Sequence, residues 1–208
     1  MNKIFTGLFL LFFAGYAFAG EIAEQLLAVV NGRIIFLSDL RRDAAFFSEG
    51  NLPALRDQID RRINHELLLD EAKRFISEAP SPKQIEIALQ KIQSRFENLK
   101  IFLERLREAG IRLEALQEEL VDRLWIETLL RDRITFFIFV SEEEIAQYAK
   151  EHPETVLQWD AEQRDAQIRA LLEKEKERAK TEEYITQLRS RATIEIAPHS
   201  PHQFKGGD

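Results

Sequence analysis

The sequence contains no cysteine, and its one methionine is the first residue. Without cysteine the chain forms neither disulfide bonds nor thiolate metal sites. This absence suits an oxidising compartment, where a stray thiol is a liability. Without internal methionine, an apolar binding surface has to be built from other side chains. Phenylalanine is the abundant candidate, with 15 residues in the chain.

The chain also has fewer basic than acidic residues. The chain has 29 lysine and arginine residues against 36 aspartate and glutamate residues, which gives a net charge of −7 at pH 7. A surface of this sign repels phosphate groups, so we expect no nucleic-acid partner. The sequence also lacks the polybasic segment with which proteins bind an anionic membrane surface.

The most apolar run of the chain is too short to span a bilayer, which takes about 20 residues. This run, over residues 4–18, follows a lysine and is interrupted by a threonine and two glycines. The small residues Ala17 and Ala19 end it in an A-x-A pattern. These features predict that residues 1–19 are a cleaved secretory signal peptide and not a membrane anchor. The mature chain would then start at Gly20, outside the cytosol, without stable insertion in a membrane.

The sequence after this segment predicts a β-hairpin. Residues 26–36 read LLAVVNGRIIF, two β-branched apolar segments around Asn31-Gly32, the dipeptide best suited to a type I′ turn. Ser38 is expected to cap the first helix, with Asp39 near the helix N-terminus. A last strand is predicted over residues 193–197.

Between the hairpin and the last strand, apolar residues recur with the helical period of 3.6. The final helix is predicted over about residues 160–192, and its nearly all-charged middle, residues 173–183, is expected to be solvated. The fourth helix should bury a stripe that includes Leu99 and Leu103. The signals that begin or end the other helices are Pro53, Ser81 with Pro82, Gly110, and Ser141 with Glu144.

The predicted fold is therefore mainly α: a helical bundle with a small antiparallel sheet formed by an N-terminal hairpin and a C-terminal strand. A third strand is physically useful, because a lone two-stranded hairpin is marginal in water. Residues 198–208 are predicted to be a disordered polar tail.

Several blocks of the sequence resemble the SurA-type periplasmic chaperones, in the order in which that family has them. The blocks cover nearly the whole mature chain: AVVNGRIIFLSDL (28–40), INHELLLDEAKRF (63–75), FLERLREAGIRLEALQEELVDRLWIETLLRDRI (102–134) and YITQLRSRATIEI (184–196). The resemblance implies one chaperone core over residues 20–197, built from both chain ends and located in the periplasm.

The chain departs from the family at one informative place. Family members often insert parvulin-type prolyl isomerase domains after a segment that resembles residues 140–154, but here only residues 155–160 separate that segment from the final helix. The resemblance therefore implies an ATP-independent holdase, a chaperone that shields unfolded outer-membrane or secreted proteins, without isomerase activity. Two alternatives stay open: a dedicated structural or assembly subunit for one envelope partner, and a vestigial peptidyl-prolyl isomerase.

The residues that would indicate catalysis or metal binding have simpler explanations. His65-Glu66 would need a histidine where Leu69 stands to form an HExxH zinc site, so His65 is expected to be solvated or at the edge of the core. The paired carboxylates are expected to lie at a helix start or on an exposed face, and the last histidines in the predicted tail. We expect no catalytic residue, metal or cofactor, and hence no enzyme. The paired carboxylates are Glu118-Glu119 and Glu142-Glu143-Glu144, and the last histidines are His199 and His202.

The mature chain is most apolar over residues 134–140, which contain three phenylalanines. Neighbouring side chains of an extended segment alternate sides, so Phe136, Phe137 and Phe139 cannot all face one core. We expect tertiary packing to cover both sides, since large exposed apolar patches are uncommon in soluble monomers. The alternative is that one side lines a groove for extended apolar segments of client proteins. The candidate client-binding residues are then Phe96, Phe102, Trp125, Phe136, Phe139 and Trp159.

Overall fold

A computed structural model describes residues 24–48 and 50–198. The predicted signal peptide and the predicted tail after Pro198 lie outside the described residues. The fold is mainly helical with a small three-stranded antiparallel sheet, which confirms the predicted fold class. The elements are β1 (Leu26–Val30), β2 (Arg33–Phe36), α1 (Leu37–Phe46), α2 (Leu55–Phe75), α3 (Pro82–Gln93), α4 (Leu99–Glu108), α5 (Leu113–Arg133), a 3₁₀ turn (Thr135–Phe137), α6 (Glu142–Glu151), α7 (Pro153–Val156), α8 (Arg164–Ser190) and β3 (Ile194–Ile196).

The sheet joins the two ends of the described chain. The strand order is β2-β1-β3, with both pairs antiparallel. Asn31 and Gly32 have φ angles of 50° and 84°, the two positive values that a type I′ turn requires. Val29 of β1 lies opposite Glu195 of β3, and the Asn31 side chain accepts a hydrogen bond from the Thr193 backbone (3.0 Å). The predicted hairpin and closing strand are confirmed.

The start of α1 differs from the prediction. The helix begins at Leu37, directly after β2, so Ser38 lies inside the first turn and is not the N-cap. The Asp39 carboxylate instead accepts a hydrogen bond from the Phe36 backbone N–H (2.9 Å), and the Ser38 hydroxyl donates to Glu24. Because no loop separates the strand from the helix, the N-cap is Phe36, two residues before the serine.

Three other helix boundaries follow their local signals, but Pro53 lies two residues before the start of α2 at Leu55 and not in its first turn, as predicted. Ser81 with Gln84, and Ser141 with Glu144, form capping boxes at the starts of α3 and α6. Gly110 has a φ of 68° directly after α4, which permits the backbone to leave the helix. These predicted boundaries are confirmed.

Three separate hydrophobic cores hold the fold together. The main core lies between the sheet, α2, α5 and the C-terminal end of α8; the second lies between the end of α1, α3, α4 and the start of α5; the third lies between α6, α7 and the N-terminal end of α8. Their buried members include Leu27, Ile63, Leu69, Leu129 and Leu188 in the main core, Phe46, Ile92, Phe102 and Leu116 in the second, and Val140, Ile145, Val156 and Ile168 in the third.

The prediction for the α4 stripe is only half right. Phe102 and Leu106 are buried in the second core, but Leu99 and Leu103 are exposed. The second core contacts a single side of this short helix, so the remaining apolar residues of the stripe face outward.

The long helix α8 connects the main core to the third core. Leu188 is buried in the main core and Ile168, five turns earlier, in the third. Most of the charged middle is exposed, as predicted, but Lys176 and Glu177 contact the segment that leads into α6. The helix starts at Arg164, slightly later than predicted. Among residues 24–48 and 50–198, no helix has both the length and the hydropathy that a membrane crossing requires.

Candidate binding surface

The segment between α5 and α6, residues 134–140, crosses the middle of α8. We call it the aromatic segment. Its two end residues, Ile134 and Val140, are buried, and Val140 belongs to the third core. Between them the chain forms the 3₁₀ turn and then extends. The segment is therefore fixed at both ends by apolar side chains.

Polar groups of α8 hold the backbone of the aromatic segment. Lys176 Nζ donates a hydrogen bond to the carbonyl of Phe139 (2.7 Å), and Arg169 Nη1 donates to the carbonyl of Val140 (2.7 Å). The Thr135 hydroxyl donates to Glu177 (2.6 Å). The bonds from the two cations are charge-assisted, which makes them stronger than neutral hydrogen bonds. They satisfy carbonyls that an irregular segment cannot pair with itself.

The phenylalanine side chains of this segment face outward. Phe136, Phe137 and Phe139 are 81%, 71% and 73% exposed, and the rings of Phe136 and Phe137 meet edge to face at 5.4 Å. The prediction that tertiary packing covers them is wrong. Residues 135–137 form a 3₁₀ turn rather than a strand, and a turn of three residues does not alternate its side chains between two packed faces. Phe139 follows in the extended part of the segment and also faces water.

Clefts lie on either side of the point where the aromatic segment crosses α8. One, of about 330 Å³, is walled by Phe137, Ile138 and Tyr184. A second, also of about 330 Å³, is walled by Thr135, Ile138 and Ala170. The walls of both clefts also carry charged residues, among them Lys180 and Glu183 in the first and Glu173 and Lys174 in the second. Concave surface of this mixed kind next to exposed aromatic rings suits the anchoring of a partner's side chains.

The six predicted client-binding residues do not form one groove. Phe102 is 1% exposed and meets Phe46 and Phe96 edge to face in the second core. Trp125 packs at the edge of the main core and Trp159 at the edge of the third. Phe136 and Phe139 alone share a surface.

Phe137 and Tyr184 complete that surface but were not among the predicted site residues. Phe137 had a signal, since it lies in an apolar run with neither the strand period nor the helix period. No sequence signal marks Tyr184 as part of this surface, because its position in the sequence is typical of a core residue of a long helix. Its hydroxyl group also contacts Glu71 of α2 (3.2 Å), which positions its ring.

A second notable cluster, the buried ion network, lies between α1, α2 and α5. Glu119, predicted to be exposed, is 3% exposed. Its Oε2 lies 2.9 Å from Arg62 Nη1 and 2.9 Å from Arg42 Nη2, and Arg62 Nη2 lies 2.7 Å from Glu66 Oε1. The prediction failed because the partners that permit burial come from other helices.

His65 lies beside this network at the edge of the core, the second of its two predicted locations. Its Nε2 is 3.5 Å from Glu119 Oε1. Burial, opposed by Glu119 but reinforced by Arg62 and Arg123, lowers the pKa of His65 to about 3. The imidazole is therefore neutral at physiological pH. The network has the features of a structural junction, in which opposite charges compensate each other.

No known protein-family model matches this chain, and no curated protein matches it significantly in sequence.

Proposed function

We propose that the protein is a periplasmic, ATP-independent holdase that binds apolar segments of unfolded outer-membrane or secreted proteins and has no prolyl isomerase activity. The observation that carries this proposal is the exposure of Phe136, Phe137 and Phe139 on a backbone fixed to α8. The resemblance of the sequence to the SurA-type chaperones supports the same function.

The energetics of such a surface suit transient capture. Burying one phenylalanine side chain contributes about 1.5–3 kcal/mol. A client must lose conformational freedom to lie on the surface, and this loss offsets much of the gain. Because the backbone of the aromatic segment is already held by Lys176 and Arg169, the ordering is needed mainly in the client. Three rings then give weak, reversible binding, which a holdase needs in order to release its client.

The test is an aggregation assay. A urea-denatured outer-membrane β-barrel protein is diluted into buffer with an excess of the purified protein, and light scattering is recorded. The protein should suppress scattering, and the variant Phe136→Ser/Phe137→Ser/Phe139→Ser should lose most of the suppression. The matched control is Ile87→Ser/Leu99→Ser/Leu103→Ser, which removes three exposed apolar residues from α3 and α4 and should keep it.

Two outcomes contradict the proposal in different ways. If the unmodified protein leaves scattering unchanged, it is not a holdase. If only the α3 and α4 variant loses activity, the binding surface is not the aromatic segment. Co-purification of one stoichiometric envelope protein, without general suppression, would instead support the dedicated-subunit alternative, since a single partner also covers exposed aromatic rings.

The proposed location has its own measurement. N-terminal sequencing of the protein from a periplasmic extract should begin at Gly20. Recovery of the chain with residues 1–19 still attached, in the cytosolic or membrane fraction, would contradict the location.

A further inference from the structure

Negative charge is concentrated in one part of the chain. Residues 141–168 contain eight acidic and two basic residues, whereas the rest of the chain has 28 acidic and 27 basic residues. Nearly all of the net charge of −7 therefore belongs to these 28 residues. They form α6, α7 and the first turns of α8 around the third core, and we call them the acidic lobe.

The acidic lobe is continuous with the aromatic segment. Helix α6 begins at Glu142, three residues after Phe139. Lys176 Nζ hydrogen-bonds to the Phe139 carbonyl and also lies 2.6 Å from Glu144 Oε1, so the start of α6 and the exposed ring of Phe139 share one anchoring residue. Leu157, which is 72% exposed, adds an apolar contact on the lobe itself.

Several carboxylates of the lobe are not neutralised by the protein. Glu142 and Glu144 pair with Arg169 and Lys176. By contrast, the exposed acids Glu143, Glu154 and Asp165 form no ion pair with any residue that the structure describes.

Two of the cations near the aromatic segment are engaged locally. Lys180 pairs with Glu183 (2.8 Å), and the guanidinium of Arg133 lies 4.5 Å from the ring centre of Phe75. Lys174, in the wall of the second cleft, is exposed and forms no ion pair with any residue that the structure describes, so the net negative charge beside the aromatic segment is that of the acidic lobe.

We propose that the aromatic segment selects apolar stretches that are flanked by lysine or arginine. This inference rests on the proposed holdase function. The apolar side chains of the client lie on Phe136, Phe137 and Phe139, and its basic flank lies along the acidic lobe. Complementary charge of this kind selects among partners and speeds their encounter.

The length of α6 sets how close to the apolar stretch of the client its basic residues must lie. Helix α6 has 10 residues and is about 15 Å long. An extended peptide covers that distance in four to five residues at about 3.3 Å each. Charges separated by more than about 8 Å are largely screened at physiological ionic strength. The basic residues should therefore lie within about five positions of the apolar stretch.

The experiment compares three fluorescent peptides that share one five-residue aromatic and aliphatic centre. Each is flanked on both sides by three lysines, three serines or three glutamates, and binding is measured by anisotropy at low and high salt. The lysine peptide should bind about tenfold more tightly than the glutamate peptide at low salt, because several exposed ion pairs each contribute a small share of the affinity. High salt should reduce this ratio.

A matched pair of variants locates the effect. Glu143→Gln/Glu154→Gln/Asp165→Asn should remove the preference for lysine while leaving the serine peptide bound as before. The control Glu97→Gln/Glu114→Gln/Glu118→Gln replaces three exposed acids outside the acidic lobe. It makes the same change in net charge and should keep the preference for lysine.

Each outcome has a distinct meaning. Equal binding of all three peptides, lost in Phe136→Ser/Phe137→Ser/Phe139→Ser, overturns the charge selection and leaves the holdase in place. Equal loss of preference in both acid variants overturns it as well, because the effect is then one of net charge alone. If the lysine peptide still binds to Phe136→Ser/Phe137→Ser/Phe139→Ser, the binding site is not the aromatic segment. Failure to bind any of the peptides or to suppress aggregation overturns both proposals.

Discussion

Glu119 and its neighbour Glu118 show how position alone separates two identical side chains. Glu119 is in contact with Arg42, Arg62 and Arg123, the last at 3.0 Å. Glu118 is exposed and has no ion-pair partner in the described part of the chain. On helix α5 one residue faces α1 and α2 and the next faces water, so their substitution should have very different effects.

We expect Glu119→Gln to lower the free energy of unfolding by about 3–5 kcal/mol, because it leaves buried arginines without their shared counter-charge. Glu118→Gln should change it by less than about 0.5 kcal/mol. Urea unfolding followed by circular dichroism measures both. Equal effects for the two variants would mean that the buried ion network does not contribute to stability.

His65 makes stability depend on pH. Its pKa is about 3 in the folded protein, against an ordinary value near 6.5. Between these values the unfolded chain binds a proton that the folded protein does not, so stability falls as pH falls from about 6.5 towards 3. Glu119, whose pKa is lowered by its arginine partners despite burial, acts in the same direction. Burial raises the pKa of Glu66 and Asp43, which oppose it.

The variant His65→Gln isolates this contribution, since the carboxylates are common to both proteins. Over the acid range the unmodified protein should lose up to about 1.4 kcal/mol per pH unit more than the variant. Urea unfolding at a series of pH values from 7 to 4 gives the difference. Parallel curves for the two proteins would show that His65 is protonated in the folded state as readily as in the unfolded state.

At the scale of elements, Lys176 connects α8 to both the aromatic segment and α6. Lys176→Met removes a charge-assisted hydrogen bond and an ion pair, so the segment should open locally about tenfold more often, as a change of about 1.4 kcal/mol implies. Hydrogen exchange of a peptide spanning residues 135–141 measures this. The control Lys174→Met alters an exposed lysine two positions away and should leave exchange in this peptide unchanged. If exchange increases equally in the two variants, the effect is due to loss of charge on α8 and not to the contacts of Lys176.

What the sequence predicts well is what neighbouring residues decide. The capping boxes at Ser81 and Ser141, and the turn at Asn31-Gly32, depend on groups within three residues of each other, and all were predicted correctly. Ser38 failed as a cap because the preceding strand runs into the helix without a loop.

The surface features depend on groups that are distant in sequence. The outward position of Phe139 is set by Lys176, 37 residues away. The burial of Glu119 requires Arg62, 57 residues away on another helix. Neither pairing leaves a local pattern in the sequence, so the exposed rings and the buried ion network became visible only in the structure.

At the scale of the molecule, the acidic lobe has a core of its own that is much smaller than the main core. Its buried apolar residues are Val140, Ile145, Val156 and Ile168. We expect Ile168→Ala to lower the stability of the lobe by about 2–5 kcal/mol. The lobe should then unfold while the helices around the main core stay folded. Leu188→Ala, in the main core, should instead lower the stability of the whole chain. Hydrogen exchange mapped over all peptides distinguishes the two; uniform loss of protection in Ile168→Ala would mean that the cores unfold together.

The meeting of β1 and β3 has a consequence for how the molecule is made. Val29 and its partner Glu195 are far apart in sequence, so Val29 emerges from the ribosome long before Glu195 is synthesised. The central strand therefore waits for its second neighbour until α1 to α8 have been synthesised, and pairing across so long a separation is slow. Until Glu195 has been synthesised, the sheet consists of the hairpin alone, which is marginal in water.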